Sequence, residues 1–219
     1  MRIIFIRHGQ TTGDVEDRYG GDYDDHLTPE GFKQVEQLAE ELKDKKIDTI
    51  ITSPMMRACE TAGVLMEKYS IGVGPEQRFK ERNQYGILTV IIKSEAKHEY
   101  PELVEKLKDR LNTIEGAESY EDFRDRVTEA FDRIIELCPI FKYKCVAVIW
   151  HGGPMRVLFR DILKKGELKE IGDCAWVEME KKDDQFVVKD SRRIEFLFDS
   201  NVGSSDNSVG ESWVHTQFA

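Results

Sequence analysis

Six apolar residues in an unbroken run, Cys145-Val146-Ala147-Val148-Ile149-Trp150, offer water no face, so a strand built from them must be covered on both sides. That is the pattern of a central strand in a parallel sheet flanked by helices. A shorter run, Ile3-Ile4-Phe5-Ile6, reads as a second buried strand, and its polarity changes abruptly at Arg7. Each run is followed at once by a histidine and glycine, as Arg7-His8-Gly9 and as His151-Gly152-Gly153. Ligands of open α/β sheets bind outside the carboxyl ends of the strands, which is where both histidines fall. Taken singly, the first stretch also fits a solvated strand end, and the second a structural histidine.

The chain between the two runs alternates strands and helices. Thr28-Pro29-Glu30-Gly31 opens a helix, with Thr28 as N-cap and Pro29 where a missing N–H loses nothing. Phe32, Val35, Leu38, Ala39 and Leu42 give it one apolar face. Asp48 to Thr52 is the next strand, and Ser53-Pro54 repeats the cap-plus-proline start for a helix running to about Tyr69. Two such units in under 70 residues predict a parallel sheet with right-handed crossovers. Arg57 falls in the first turn of the second helix, from which it can reach over the strand ends.

After a short edge strand at Ile71 to Val73 the pattern breaks. An apolar patch from Ile87 to Ile92 and two short helices, 94–99 and 101–111, read as an insertion over about 84–117, the natural material for a lid. Ser119 and Asp122 then start a long helix with Phe123, Val127, Ala130, Phe131, Ile134 and Leu137 at helical spacing. Beyond His151 a helix continues over Met155 to Leu163. Ala175 to Glu180 and Phe186 to Lys189 close the fold as a strand pair turning at Asp183-Asp184.

Of the 219 residues 40% are hydrophobic, enough for one substantial core, and we expect a single domain over 1–198 and a mobile tail over 199–219. A net charge of -10 disfavours a nucleic-acid binder, although a local Arg/His pocket in an acidic body still attracts a small anion. The four cysteines are widely spaced with no metal-ligand pattern, as expected of free thiols in a reducing compartment. Arg7 interrupts the N-terminal apolar run too early for a secretory segment, and no stretch approaches a membrane span, so the expectation is a cytoplasmic protein that engages no membrane.

Two histidines on buried strand ends, with Arg7, Arg57 and Glu81 on neighbouring turns, form a set suited to phosphoryl transfer without a metal. Cations hold a dianion, imidazole is nucleophilic near neutral pH, and a carboxyl can pass a proton to a departing oxygen. Four segments in order, Arg7 to Thr11, Leu27 to Gly31, Ser53 to Ala62 and His151 to Gly153, resemble the motifs of the histidine phosphatase superfamily, in its phosphoglycerate mutase-like branch. The resemblance implies a three-layer α/β/α sandwich with a mostly parallel sheet, and no metal or cofactor. It implies His8 as the residue that takes the phosphoryl group, Glu81 as proton donor, and Arg7, Arg57, His151, Asp14 and Gly152 around the phosphate.

The sequence departs from that pattern in three places. Gln10 stands where glutamate is frequent, Asp14 where an asparagine usually contacts phosphate, and Glu81 to Gly86 is one residue longer than usual. A carboxylate at Asp14 repels a dianion unless it is protonated or turned away. No arginine pair or proline-rich segment of the mutase kind follows in residues 87–116, which favours a phosphatase for small monoesters over a mutase. A non-catalytic phospho-ligand binder is a third reading. Lys93, Lys97 and His98 in the insertion either meet a second anionic group or face water. The physiological substrate and the oligomeric state are not specified by these residues.

Overall fold

The computed structural model describes residues 1–183 and 185–197, so the expected tail over 199–219, and Asp184 of the expected turn, lie outside the described residues. In chain order the elements are β1 (Arg2–Arg7), α1 (Thr12–Val15), α2 (Pro29–Leu42), β2 (Thr49–Thr52), α3 (Met56–Tyr69) and β3 (Gly72–Pro75). They continue with α4 (Lys93–Glu99), α5 (Pro101–Lys106), α6 (Tyr120–Ile140), β4 (Cys145–Trp150), α7 (Gly152–Val157), β5 (Glu167–Lys182) and β6 (Gln185–Leu197). One six-stranded sheet has the order β3-β2-β4-β1-β5-β6. The first four strands in that order run parallel, and β5 and β6 add an antiparallel hairpin at one side.

Strand alternation sends the core to both faces of the sheet. Ile4, Ile6, Ala147 and Ile149 point to the layer formed by α2 and α3, whose Val35, Leu38, Ala58 and Leu65 close that side. Ile3, Phe5, Val146 and Val148 point to the other layer, where α6 supplies Phe123, Val127 and Phe131 and α7 supplies Met155 and Val157. The fold is therefore the expected α/β/α sandwich. Every residue of β4 is buried, because β4 lies between β2 and β1 and has helices above and below.

Local readings differ from the structure in five places, one being the second insertion helix, which ends at Lys106 and not at 111. Phe32 was assigned to the core face of α2 but is 40% exposed, while Gly31 is buried against the Gln10 main chain in its stead. The helix after β2 begins at Met56 rather than at Ser53-Pro54, with Met55 as its cap residue, which frees the Ser53 hydroxyl for another partner. In α6 the buried position near the end is Cys138, with Leu137 half-buried. The closing strands are much longer than their alternating cores, because β5 carries irregularities between Ile171 and Trp176 that hide its first half from a period-two reading.

Residues 84–117 pack round a small apolar centre of Leu88, Ala96 and Ile114, flanked by Tyr19 and Tyr85. This segment is stitched to the loop after β1. Tyr19 N donates to Ile91 O (3.0 Å), Val90 N donates to Tyr19 O (2.8 Å) and Lys93 pairs with Asp17 (2.6 Å). Leu38 is fully buried between α2 and the sheet whereas Phe32 is not, so the two substitutions should separate clearly. Urea titration is expected to show Leu38→Ala losing about 2–5 kcal/mol and Phe32→Ala less than about 1.5 kcal/mol.

Candidate active site

The sheet register, before any side-chain contact, brings the two histidines together. Arg7 of β1 stands opposite Trp150 of the parallel β4, so the next residue on each strand, His8 and His151, leaves the sheet at the same level. Their ring centroids are 5.1 Å apart. On the other flank of β4, Thr52 of β2 pairs with Ile149, which carries Ser53 to the side of His151. The Ser53 hydroxyl, buried and not used as a helix cap, lies 2.8 Å from His151 Nε2.

One guanidinium joins the two rings. Arg57 Nε–H points between His8 Nε2 and His151 Nδ1, 3.2 Å from each. A nitrogen that accepts cannot carry the proton, so these contacts fix both neutral tautomers. In His8 the proton sits on Nδ1 and is donated to the Gly9 carbonyl at 2.8 Å. In His151 it sits on Nε2 and is donated to Ser53. Burial, followed by the charges of Arg57 and Arg7, holds the His8 imidazole well below its ordinary pKa. Burial and Arg57 do the same for His151. His8 thus presents an unprotonated Nε2 at the end of a buried strand.

The rest of the Arg57 guanidinium is gripped by the loop after α1. Nη1 donates to Asp25 Oδ1 (2.7 Å) and to the Tyr23 carbonyl (2.5 Å), and Nη2 donates to the Gly21 carbonyl (3.0 Å). Asp25 and Arg57 are both almost fully buried, an arrangement in which removing one partner strands the other's charge. Gly21 adopts φ +71°, and a Cβ there would stand 2.9 Å from the Arg82 carbonyl, so the turn requires glycine. Met55 Sδ completes the cradle, 3.5 Å from Arg57 Nη2 and 3.4 Å from the Glu81 amide. The pairing of Asp25 has no local signal, since its partner is 32 residues away.

Arg7 leaves β1 toward the hairpin side. Its Nη1 donates to the Ile171 carbonyl (3.0 Å) and pairs with Asp173 at 3.1 Å. Asp173 was missed because it lies in the irregular part of β5. Burial raises its pKa above the ordinary carboxylate value, against the lowering pull of Arg7. The next residue, Cys174, donates its amide to the His8 carbonyl at 3.1 Å. Asp14 is turned back on its own helix: Oδ2 accepts from the Thr11 amide (3.0 Å) and hydroxyl (2.9 Å), and Oδ1 lies 3.7 Å from Arg7. Of the ways in which a carboxylate here could tolerate an anion, the structure takes the turned one for Oδ2. Gln10 accepts from the Thr28 hydroxyl, stitching the first loop to α2.

Glu81 reaches the same site from the loop before the insertion. Its Oε2 accepts from the Gly153 amide (2.9 Å) and its Oε1 from the Arg82 amide (2.8 Å). A Cβ on Gly153 would stand 2.0 Å from Glu81 Oε1, so only glycine admits the carboxylate to this place. The extra residue after Glu81 does not withdraw it. All seven residues singled out from the sequence, His8, Glu81, His151, Arg7, Arg57, Asp14 and Gly152, come together here; six of them line one cleft of about 410 Å³, and His151 lies just beneath it, fully buried. Arg18, Arg82, Lys93, Arg110, Arg156 and Arg160 line it as well. Lys97 and His98 are exposed and outside it. Among the described residues no group of three or more His, Cys, Asp or Glu side chains is placed to hold a metal, and no helix is long and apolar enough to cross a membrane.

Two imidazoles at the ends of adjacent parallel strands are bridged by an arginine from α3, an arrangement that defines a class of α/β site. A profile of the histidine phosphatase superfamily (branch 1) matches residues 3–193, and the chain belongs to that superfamily. Phosphoglycerate mutase-like protein 4 of Arabidopsis thaliana is 30% identical over 72% of this chain and 69% of its own length. The metal-independent phosphoserine phosphatase of the same plant is 25% identical over 92% of this chain and 84% of its own length. In solved structures, a mycobacterial glucosyl-3-phosphoglycerate phosphatase superposes with a TM-score of 0.75 at 24% identity, over 86% of this chain and 96% of that one. At that identity the likeness concerns the fold.

Both buried histidines stay neutral on folding, whereas the unfolded chain takes up protons near 6.5, so the folded state binds fewer protons. Their contribution to stability is complete above that pH and declines as pH falls below it. By proton NMR, the ring resonances of His8 and His151 are expected to keep their neutral positions as pH falls through 6.5, where an ordinary imidazole charges. The exposed His26, raised by its hydrogen bond to Glu60, should titrate above its ordinary value. A His8 ring that titrates at 6.5 or higher would contradict the shared Arg57 contact.

Proposed function

We propose that the protein hydrolyses small phosphate monoesters through a phosphohistidine on His8. The observation that carries this reading is the unprotonated His8 Nε2, accepting from Arg57 Nε in a cation-lined cleft, with its Nδ1 proton committed to the Gly9 carbonyl. Nε2 attacks phosphorus and the ester P–O bond breaks. The departing alkoxide takes a proton from Glu81, which the Gly153 and Arg82 amides hold at the cleft. Water, deprotonated by the same carboxylate, then attacks the phosphorus, and the P–N bond to His8 breaks. Phosphate leaves and Glu81 regains its proton.

Arg7, Arg57, His151 and the Gly152 main chain surround the phosphoryl oxygens. Positioned charges of this kind supply most of the catalysis in phosphoryl transfer. Burial and the guanidinium charges keep His151 neutral, and a bound dianion offsets the second of these, which favours a proton on His151 while phosphate is present. Relatives named as phosphatases, the metal-independent phosphoserine phosphatase among them, support hydrolysis over mutase-type transfer. Mutase activity dependent on a bisphosphoglycerate primer, with no steady phosphate release, would reverse that choice. Binding of phosphate by an inactive wild type would favour a non-catalytic phospho-ligand protein.

With p-nitrophenyl phosphate and no added metal, steady phosphate release is expected, and His8→Ala should abolish it. Quenched wild-type enzyme should carry an acid-labile, alkali-stable phosphoryl group. Arg57→Ala is expected to lower kcat/KM by about 10²–10³-fold, or about 3–4 kcal/mol. Gly153→Ala, which displaces the Glu81 carboxylate, should lower kcat by about 10-fold or more, with phosphate affinity retained.

A further inference from the structure

One wall of the cleft gathers more positive charge than a single phosphoryl group needs. Tyr120, at the start of α6, carries three guanidiniums over its ring: Arg160 at 5.3 Å, Arg82 at 5.4 Å and Arg110 at 5.8 Å from the centroid. The ring is held rigidly, since its hydroxyl donates to Asp161 and accepts from Arg160. Arg160 is balanced by Asp161 and Glu167. Arg82 is buried, and its donors go to main-chain oxygens, those of Glu118 and Arg110, rather than to a carboxylate. The nearby Glu118 is already taken, with both oxygens on Arg126.

Arg110 differs from the other cations of the cleft, since even Arg82, which has no carboxylate partner, spends its donors on carbonyls. Arg18, Lys93, Arg156 and Arg160 each have a carboxylate partner, and so do Arg7 and Arg57. Among the described residues the Arg110 side chain has no hydrogen-bond or ion-pair partner and lies against the Tyr120 ring, exposed and lining the cleft. Its main chain is fixed nonetheless, because its carbonyl accepts from Arg82 Nη1 at 2.6 Å. A guanidinium with its donors unspent, seated on a fixed ring beside a buried and unpaired second guanidinium, is a place prepared for an anion. A cleft of about 410 Å³ has room for a small ligand that spans from it to His8.

We propose that Arg110 over Tyr120 is a second anion subsite, so that the preferred substrate carries a carboxylate or second phosphate in addition to the phosphoryl group facing His8. This rests on the phosphatase reading given above and specifies its substrate class. Arg110 sets specificity by grouping the substrate's second charge with the field of Arg82 and Arg160. It touches no reacting atom.

The test compares three substrates of one chain length: butanol monophosphate, butane-1,4-diol bisphosphate and 4-phosphooxybutanoate. In the wild type, kcat/KM for at least one of the two doubly anionic compounds should exceed that for the monophosphate by about 10-fold or more, and which one does so identifies the second group. In Arg110→Ala that ratio should fall to about one, and in Arg110→Glu below one. Lys97→Ala, which alters an exposed cation outside the cleft, should preserve it. A wild-type ratio near one, or a ratio that survives Arg110→Ala or falls equally in Lys97→Ala, overturns the proposal. If no phosphate is released from any compound, the phosphatase reading has failed. Calorimetric binding of the bisphosphate then decides the subsite alone: weaker binding by Arg110→Ala than by wild type supports it, and equal binding overturns it.

Discussion

A single N–H group of Arg57, shared between two buried imidazoles, is the interaction on which the rest of the site depends. It fixes which nitrogen of each ring is unprotonated. It also places a full charge in the interior, and a buried charge must be matched by partners or the site collapses. Asp25 supplies the countercharge, and the Tyr23 and Gly21 carbonyls take the remaining donors. This is why the loop after α1 holds its shape with little regular structure. Its neighbours reinforce it: Asp24 accepts from the Met56 amide at the start of α3, and Glu60 accepts from the Leu27 amide.

The distribution of charge gives this chain two characters. The chain carries a net charge of -10, while the cleft is lined by eight arginines and lysines against three carboxylates. A cleft with its own sign focuses the field within it, so a small anion is drawn in where a large polyanion meets the outer charge first. Most of the cleft cations are tethered to carboxylates, which fixes their geometry and moderates their pull.

The sheet and its site were legible in the sequence to the extent that they depend on local pattern. Continuous apolar runs disclosed β1 and β4, and the residue after each run disclosed His8 and His151, because burial and strand ends leave marks within a few positions. Thr28 and Ser119 announced their helices for the same reason. What remained hidden depends on distant partners. Asp25, Asp173 and Ser53 acquire their roles from residues 32 or more positions away, or from an irregular strand whose pattern no periodicity describes. Phe32 is the converse case, an apolar residue at a correct helical spacing whose side chain falls on the rim, because Gly31 takes the tight contact with the Gln10 main chain.

The pairing of β1 with β4 has a consequence for how freely such a protein can drift. The separation of His8 from His151 is set by a main-chain ladder running from Arg2 opposite Cys145 to Arg7 opposite Trp150. Side-chain packing holds the ladder in place but does not define its steps. Apolar residues on either face can therefore be exchanged for others of similar bulk while the distance between the rings is conserved. A single inserted or deleted residue within either strand would instead turn a histidine to the opposite face. Architecture of this kind is strict about length and lenient about identity, which accords with a chain that keeps a TM-score of 0.75 against a structure with which it shares 24% of its residues.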